Sequence, residues 1–351
     1  MELLIGIGIL VAIFVGINVG GSSTGVAFGP AVGGDVLSMR KAAGLMAFFA
    51  FLGGVTVGPR VVNTMGRGLV PPERFTIAAS IAILLFTGLG ILAGNILKIS
   101  SSTSQIAVGS IAGMGIALGV IDWSVLGVIV VWWLVSSVIA FWSAAVIGRY
   151  AYDRIVGRID LTKGNRDRVT KLIVVAVGCY MAFSAGASNV ANAVAPLVGS
   201  DSIGIGMLPA VAMAGVAMAI GALFIGPRTM ETIGNDITDL PLEAAFIVEI
   251  IAATIITMLS LAGIPASLAV VLTLCVIGLG WGRATKRVPL RREMKFEQRQ
   301  EKDQRRVEED DLSLYDMEMT RRFILTWMIT PIVAGGLTAL TFVLAQMIGV
   351  F

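Results

Sequence analysis

The chain is built from apolar runs long enough to cross a bilayer, and from little else. A helix needs about 20 mostly apolar residues to span the hydrocarbon core. Runs of that kind lie near residues 2–33, 41–57, 75–95, 103–121, 124–147, 172–199, 203–225, 242–262, 265–282 and 323–350. Lipid offers no partner to a free backbone amide, so such runs fold as helices that pair their own N–H and C=O groups. Only 14% of the 351 residues are charged, where a soluble domain carries about a quarter. The expectation is an all-α integral membrane protein with about 10–12 transmembrane helices.

One segment occurs twice. Gly20 to Asp35 reads GGSSTGVAFGPAVGGD, and Gly186 to Asp201 reads GASNVANAVAPLVGSD. They align without a gap at an offset of 166 (186 − 20), matching Ser22 with Ser188, Pro30 with Pro196 and Asp35 with Asp201. GPRVVNTMGRGL from Gly58 then matches GPRTMETIGNDI from Gly226, at an offset of 168 (226 − 58). Five spans per half place the second half in the membrane upside down relative to the first. Inverted repeats of that kind bring their paired motifs together near the midplane. Gly20, Gly21 and Gly186 read as breaks in spans 2–33 and 172–199, forming re-entrant hairpins. Irregular backbone at that depth must be buried in protein or line a cavity. Pro30 and Pro196 can each break the returning helix. Close helix packing is the competing reading of such glycines. The duplicated hydroxyl and the shared downstream Pro and Gly weigh toward the breaks.

The chemistry at a broken helix suits an anion, because free N-terminal N–H groups and the positive dipole end face it. Ser22, Ser23, Thr24, Ser188 and Asn189 add neutral donors. Residues 100–105 read SSSTSQ and open an apolar run. Capping a helix takes one hydroxyl, so Ser102, Thr103 and Ser104 read as a re-entrant tip that donates to the anion. The second-half counterpart, GIPASLAVV, offers Ser267 alone. Asn18 and Asn192 could hold a small cation beside the anion. Ionisable groups inside spans are costly and mark function, which singles out Glu249 and, near a span end, Glu231. Either could carry a proton or bind a cation, so coupling to H⁺ and to Na⁺ both stay open. Arg60 and Arg228 are matched across the repeats and could steer anions; interfacial snorkelling explains them equally well. Asp35 and Asp201 read as helix terminators.

Other classes fall away. The sequence has no histidine, which excludes His-based metal sites, relays and triads. Its two cysteines lie inside apolar runs and read as packing, as do Trp132, Trp133 and Trp142, while Trp123 reads as an interface anchor. No nucleophile–base pair or paired intramembrane carboxylate suggests an enzyme, and nothing suggests a nucleic-acid partner. The first apolar run has no basic flank and contains the repeat motif, so it reads as retained rather than as a cleaved leader. The expected division is 1–147 as the first inverted repeat, 148–171 as a basic cytoplasmic loop and 172–282 as the main part of the second repeat. Residues 283–322 follow as a charged cytoplasmic loop, and 323–351 as the last transmembrane helix. The two loops share a side by the positive-inside bias, which puts the N-terminus outside.

These motifs resemble those of the inorganic phosphate transporter (PiT) family. Its GANDVAN-type motif is matched by GASNVANA from Gly186 to Ala193. Its G-x-x-V-x-E-T-I stretch is matched by GPRTMETI from Gly226 to Ile233, with Glu231 in the glutamate position. Its P-x-S-T-T-H segment is similar to SSTSQIAVG from Ser101 to Gly109. The departures are specific: Ser23 and Asn189 replace the motif acids, Asn63 the first-half glutamate, and Gln105 the histidine. NVGGSSTG followed by STSQ looks more like the sulfate permeases that branch from this family.

The resemblance implies an ion-coupled symporter of a tetrahedral oxyanion, multi-pass in the cell membrane. It carries Asn18, Asn192, Asn63, Glu231 and Glu249 as coupling-ion candidates. The co-transported ion is then H⁺ or Na⁺, with no metal beyond that Na⁺ and no cofactor. Dimers are common among proteins of this resemblance. Near pH 7 phosphate keeps a proton that wants an acceptor, ideally a carboxylate, whereas sulfate wants donors only. Loss of both motif acids therefore favours sulfate, with phosphate the close alternative and a passive anion channel a further one.

Overall fold

A computed structural model describes residues 2–97, 102–158, 166–200, 204–227, 242–286 and 317–348. These residues form helices and connecting turns, with no strand among them. In chain order the helices are α1 (Glu2–Gly33), α2 (Met39–Thr56), α3 (Gly58–Asn63), α4 (Ile77–Leu97), α5 (Thr103–Ala117) and α6 (Trp123–Tyr150). There follow α7 (Tyr152–Arg158), α8 (Arg166–Gly199), α9 (Met207–Phe224), α10 (Leu242–Leu261), α11 (Leu268–Lys286) and α12 (Met317–Met347). Among the described residues eight helices are long and apolar enough to span a membrane, or nine if the bent pair α2–α3 counts as one. The expected span at 103–121 is instead the short helix α5, of 15 residues.

The expected breaks at Gly20, Gly21 and Gly186 are not there. Helices α1 and α8 run unbroken through all three glycines, and through Pro30 and Pro196. The glycines serve close packing. A Cβ at Gly20 would collide with the Met218 carbonyl of α9, and one at Gly186 with the Ala50 carbonyl of α2. Two apolar helices in lipid gain no hydrophobic drive from each other, so small residues that let backbones touch supply the contact. The chain bends at the second repeated motif instead, by 58° between α2 and α3. Pro59 lacks the N–H that would continue the ladder across that joint, and a π-turn over Thr64–Gly68 follows. Asp35, at φ 53°, ends α1 in the left-handed region, as expected of it; Asp201 lies outside the described residues.

The two halves pack by the same rules. Helix α1 lies against α9, as α8 lies against α2; α1 against α4, as α8 against α10; α5 against α12, as α11 against α6. Exchanging α1 with α8, α2 with α9, α4 with α10, α5 with α11 and α6 with α12 maps each pairing onto another. The glycine contacts repeat too: Gly53 meets the Phe183 carbonyl, and Gly221 that of Ile17. The duplicated sequence is thus a duplicated packing scheme, as a two-fold relation between the halves requires.

The core forms two apolar clusters, and α1 and α8 thread both. One cluster takes Ala12, Val15 and Val19 from the part of α1 before Gly20, with Val190, Val194 and Leu197 from the part of α8 after Gly186. The other takes Val26, Ala27 and Phe28 with Met181, Ala182 and Ala185. The two helices therefore run antiparallel. The polar residues at 22–24 and at 188–189 fall where one cluster ends and the other begins.

Candidate functional site

The polar belt between the clusters is where two short segments end against α8. Ser102 caps α5, accepting from the Gln105 N–H at 3.3 Å. Ser267 does the same for α11, accepting from the Val270 N–H at 3.3 Å. Each cap leaves the remaining first-turn N–H groups of its helix without an intrahelical acceptor. Both helix starts reach the same stretch of α8. Thr103 and Ser104 donate to the Asn189 side-chain oxygen at 3.4 and 3.1 Å. From the other half, the Ala266 carbonyl accepts from Ser104 at 3.0 Å and from Ser188 at 2.8 Å. Ser104 thereby ties the two capped tips to each other and to α8.

Helix α1 closes the cluster, with Asn189 Nδ2 donating to the Ser23 hydroxyl at 3.1 Å. Ser23 and Asn189 are the two positions at which the resemblance expects an acid, and here they hydrogen bond to one another. Asn192, one turn on, donates toward Thr103, Ser104 and Asn189 at 3.3–3.5 Å. Ser104 and Ser188 are fully buried. Every side chain in this network is neutral. Two acceptor oxygens, Asn192 Oδ1 within it and Gln105 Oε1 in the first turn of α5, are buried with no partner. A buried carbonyl oxygen left unpaired costs free energy, so both point to something that donates or carries positive charge.

The other expected residues sit elsewhere. Thr24 is buried but gives its hydroxyl to the Gly20 carbonyl of its own helix, at 2.7 Å. Ser22 is half-buried on α1; its repeat partner Ser188 bonds Ala266, and the equivalent segment before α5 lies outside the described residues. Asn18 is one turn from Ser22, donating to the Phe14 carbonyl and accepting from Asn95. Asn63 is exposed at the end of α3, apart from the network. Glu231 and Arg228 lie outside the described residues. Glu249 is buried in α10, and its Oε1 has no partner. Arg60 donates to the Leu261 carbonyl at 2.7 Å, capping the C-terminus of α10.

Two contributors were invisible to residue-type reasoning. The Ala266 contribution is a backbone carbonyl, which no side-chain pattern signals. Trp133 reads as packing, yet its indole N–H donates to the Pro265 carbonyl at 2.7 Å and holds the α11 tip. Its place on an apolar helix gave no cue; a Trp usually finds a partner for its N–H when buried, and that was the available hint.

A family model described as the phosphate transporter family matches residues 19–338. The chain belongs to the phosphate transporter family. That family is one of transporters, and with its apolar helices this member is a multi-pass membrane protein. Among curated proteins it is similar to sulfate permease CysP of Bacillus subtilis (strain 168), 29% identical over 282 residues. The match covers 78% of this chain and 77% of that one. Among solved structures it is similar to a sodium-dependent phosphate transporter, with a TM-score of 0.76 and 20% identity. That likeness covers 99% of this chain and 100% of the other, and it speaks to the fold. The all-helical architecture and the family expected from the motifs are both in place.

Proposed function

We propose that this family member is a symporter of a tetrahedral inorganic oxyanion in the cell membrane, with sulfate the favoured substrate. The observation that carries this is the neutral hydroxyl–amide network at Ser23, Thr103, Ser104, Ser188, Asn189 and Asn192, set between two capped helix starts. Sulfate is a dianion with no proton to give, so it binds through donors. Hydroxyls, an amide N–H₂ and first-turn backbone N–H groups are all donors, and helix N-termini add positive potential. In a poorly screened site a carboxylate beside sulfate would repel it without a compensating bond. The similarity to a sulfate permease supports the same choice. The empty-handed donors of this network bond to one another, and an arriving anion would take their bonds over.

A second reading has its own support. Gln105 Oε1 and Asn192 Oδ1 are unpartnered acceptors, and they suit the O–H of a protonated phosphate or a Na⁺ ion travelling with the substrate. The similarity to a sodium-dependent phosphate transporter favours this alternative. The coupling ion is H⁺ or Na⁺, with Glu249 the buried acid available for the former. The repeat organisation supports alternating access between two halves related by inversion, with the domain boundaries given above.

One experiment decides the substrate. Purified protein in proteoliposomes is given labelled sulfate with unlabelled sulfate, phosphate or chloride as competitor at neutral pH. Sulfate should compete at lower concentration than phosphate. The reverse order would return the chain to phosphate, and uptake that never exceeds equilibrium under Na⁺ or H⁺ gradients would make it a channel.

A further inference from the structure

The turn that joins α10 to α11 lies against the hydroxyl–amide network, and the bond at its start differs from the rest. Residues 263–268 are buried, although they connect two helices. The backbone of the turn closes α10. The Ala262 N–H bonds the Met258 carbonyl at 3.1 Å, the Gly263 N–H that of Ser260 at 3.0 Å, and the Ile264 N–H that of Leu259 at 2.8 Å. Gly263, at φ 75°, is the left-handed residue this closure needs. A helix leaves its last four carbonyls without donors of its own. Those of residues 258–260 are thereby paired by the turn. The fourth, that of Leu261, is paired from another element, by Arg60 Nη1 of α3 at 2.7 Å.

Arg60 belongs to the opposite half of the repeat from the turn it holds. Its helix is pressed onto α8: a Cβ at Gly58 would collide with Val190, and one at Gly66, in the π-turn after α3, with the Ala195 carbonyl. The α10–α11 turn leans on the same element. A Cβ at Gly263 would lie 3.0 Å from Thr64 Oγ1 and 3.2 Å from the Arg60 carbonyl. Further along, the chain is fastened to a different body. Trp133 of α6 holds the Pro265 carbonyl, and Gly278 and Gly282 seat α11 on the Phe141 and Ala145 carbonyls of α6. Ser184 of α8 grips α10 at Ala253 and Thr257, one turn before Leu261.

Resting on the proposed transport between two halves, we infer that Arg60 is a latch. Its bond to Leu261 holds the last turn of α10, and the turn that follows, shut over the hydroxyl–amide network; its release opens that mouth. The guanidinium sits at the negative end of α10, which favours the closed form. The bond is exposed, so water can replace either partner, and breaking it costs less than breaking a buried one. Gly263 can absorb the change of backbone angle that opening requires. Three residues on, the Ala266 carbonyl takes bonds from Ser104 and Ser188, so a turn that swings away frees those two donors. Arg60 acts through the turn and is a positioning residue.

Thiol accessibility reads the latch separately from transport. Ser260 is fully buried in the last turn of α10 with its hydroxyl unpartnered, and Ser260→Cys exchanges a single heavy atom. The full chain carrying Cys179→Ala, Cys275→Ala and Ser260→Cys is placed in proteoliposomes, and a membrane-impermeant maleimide is applied to both faces. Adding Arg60→Ala should raise the labelling rate at least tenfold. Arg60→Lys, which keeps a charged donor, should stay within threefold of the parent. So should Arg67→Ala, which removes the same charge from the π-turn after α3. A companion protein keeps Cys275, fully buried in α11, as its single thiol, and Arg60→Ala should leave its labelling unchanged. An unchanged rate at Ser260→Cys overturns the latch. Labelling of Cys275 that rises in step makes Arg60 structural and overturns it too, as does an equal rise with Arg60→Lys or Arg67→Ala. The same vesicles are assayed for uptake of labelled sulfate and of labelled phosphate. Arg60→Ala should lower maximal uptake at least threefold with KM within twofold, because a mouth that fails to close slows the cycle without loosening the anion. A rise in KM at unchanged maximal uptake would make Arg60 a substrate-binding residue and overturn the latch. Parent vesicles that take up neither anion overturn the proposed symport, while the labelling still decides the latch.

Discussion

At the scale of single residues the family and the seats of polarity were legible, and the state of the glycines was not. Ser23, Ser104, Ser188, Asn189 and Asn192 stood out because hydroxyls and amides are expensive in an apolar span, and the fold does bring them together. Gly20 and Gly186 were read as breaks because a duplicated glycine beside a duplicated serine looks like unwound helix. Their physical reason is a backbone contact with α9 and α2, which a single sequence does not display. Gly186→Ala should therefore damage folding rather than binding. Overpacking against a backbone typically costs about 1–3 kcal/mol, so the variant should lose melting temperature in detergent, measured by a thermal unfolding assay. Gly127→Ala, where nothing lies within 4 Å, should melt like the parent. The site residues yield a different prediction. Asn189→Asp restores an acid to the centre of the network and should shift preference from sulfate toward phosphate by about tenfold, roughly 1.4 kcal/mol. The ratio of the two inhibition constants in a competition assay reads this directly.

At the scale of elements, the apolar runs forecast most helices, because the spanning length is set by the bilayer and the pairing by its dryness. The exceptions have local causes. The run near 103–121 forms only α5, because Gly119 at φ 68° stops it. The run near 41–57 is followed by a bend, because Pro59 cannot continue the ladder. The tips of α5 and α11 carry the hydroxyl–amide network proposed to hold the oxyanion, so their positioning should govern affinity. Trp133→Phe removes the bond that holds the Pro265 carbonyl. A single neutral hydrogen bond contributes about 1 kcal/mol, so a several-fold rise in KM with little change in maximal uptake is expected, measured from concentration-dependent transport. An equal fall in maximal uptake and no change in KM would place that bond outside substrate positioning.

At the scale of the whole molecule, the duplicated motif did announce a duplicated fold, although the depth of the correspondence shows only in the packing. Gly53 and Gly221 press on equivalent carbonyls, so Gly53→Ala and Gly221→Ala should lower the melting temperature to a similar degree; sharply unequal losses would mean that the halves are not mechanically equivalent. A further consequence follows from how the short helices are held. Gly109 and Gly113 of α5 press on the backbone of α12 at Pro331 and Gly335, and Gly278 and Gly282 of α11 on α6 at Phe141 and Ala145. Helix α5, at about 22 Å, is too short to cross a hydrocarbon core of about 30 Å. It therefore rides on α12, whose outer face exposes the apolar side chains of Ile332, Leu337 and Leu340. A thinner or thicker bilayer that tilts α12 would drag the Ser102 cap with it, so transport should vary with the acyl length of the host lipid. The solvent around the protein is, in that sense, geared to the polar network at its centre.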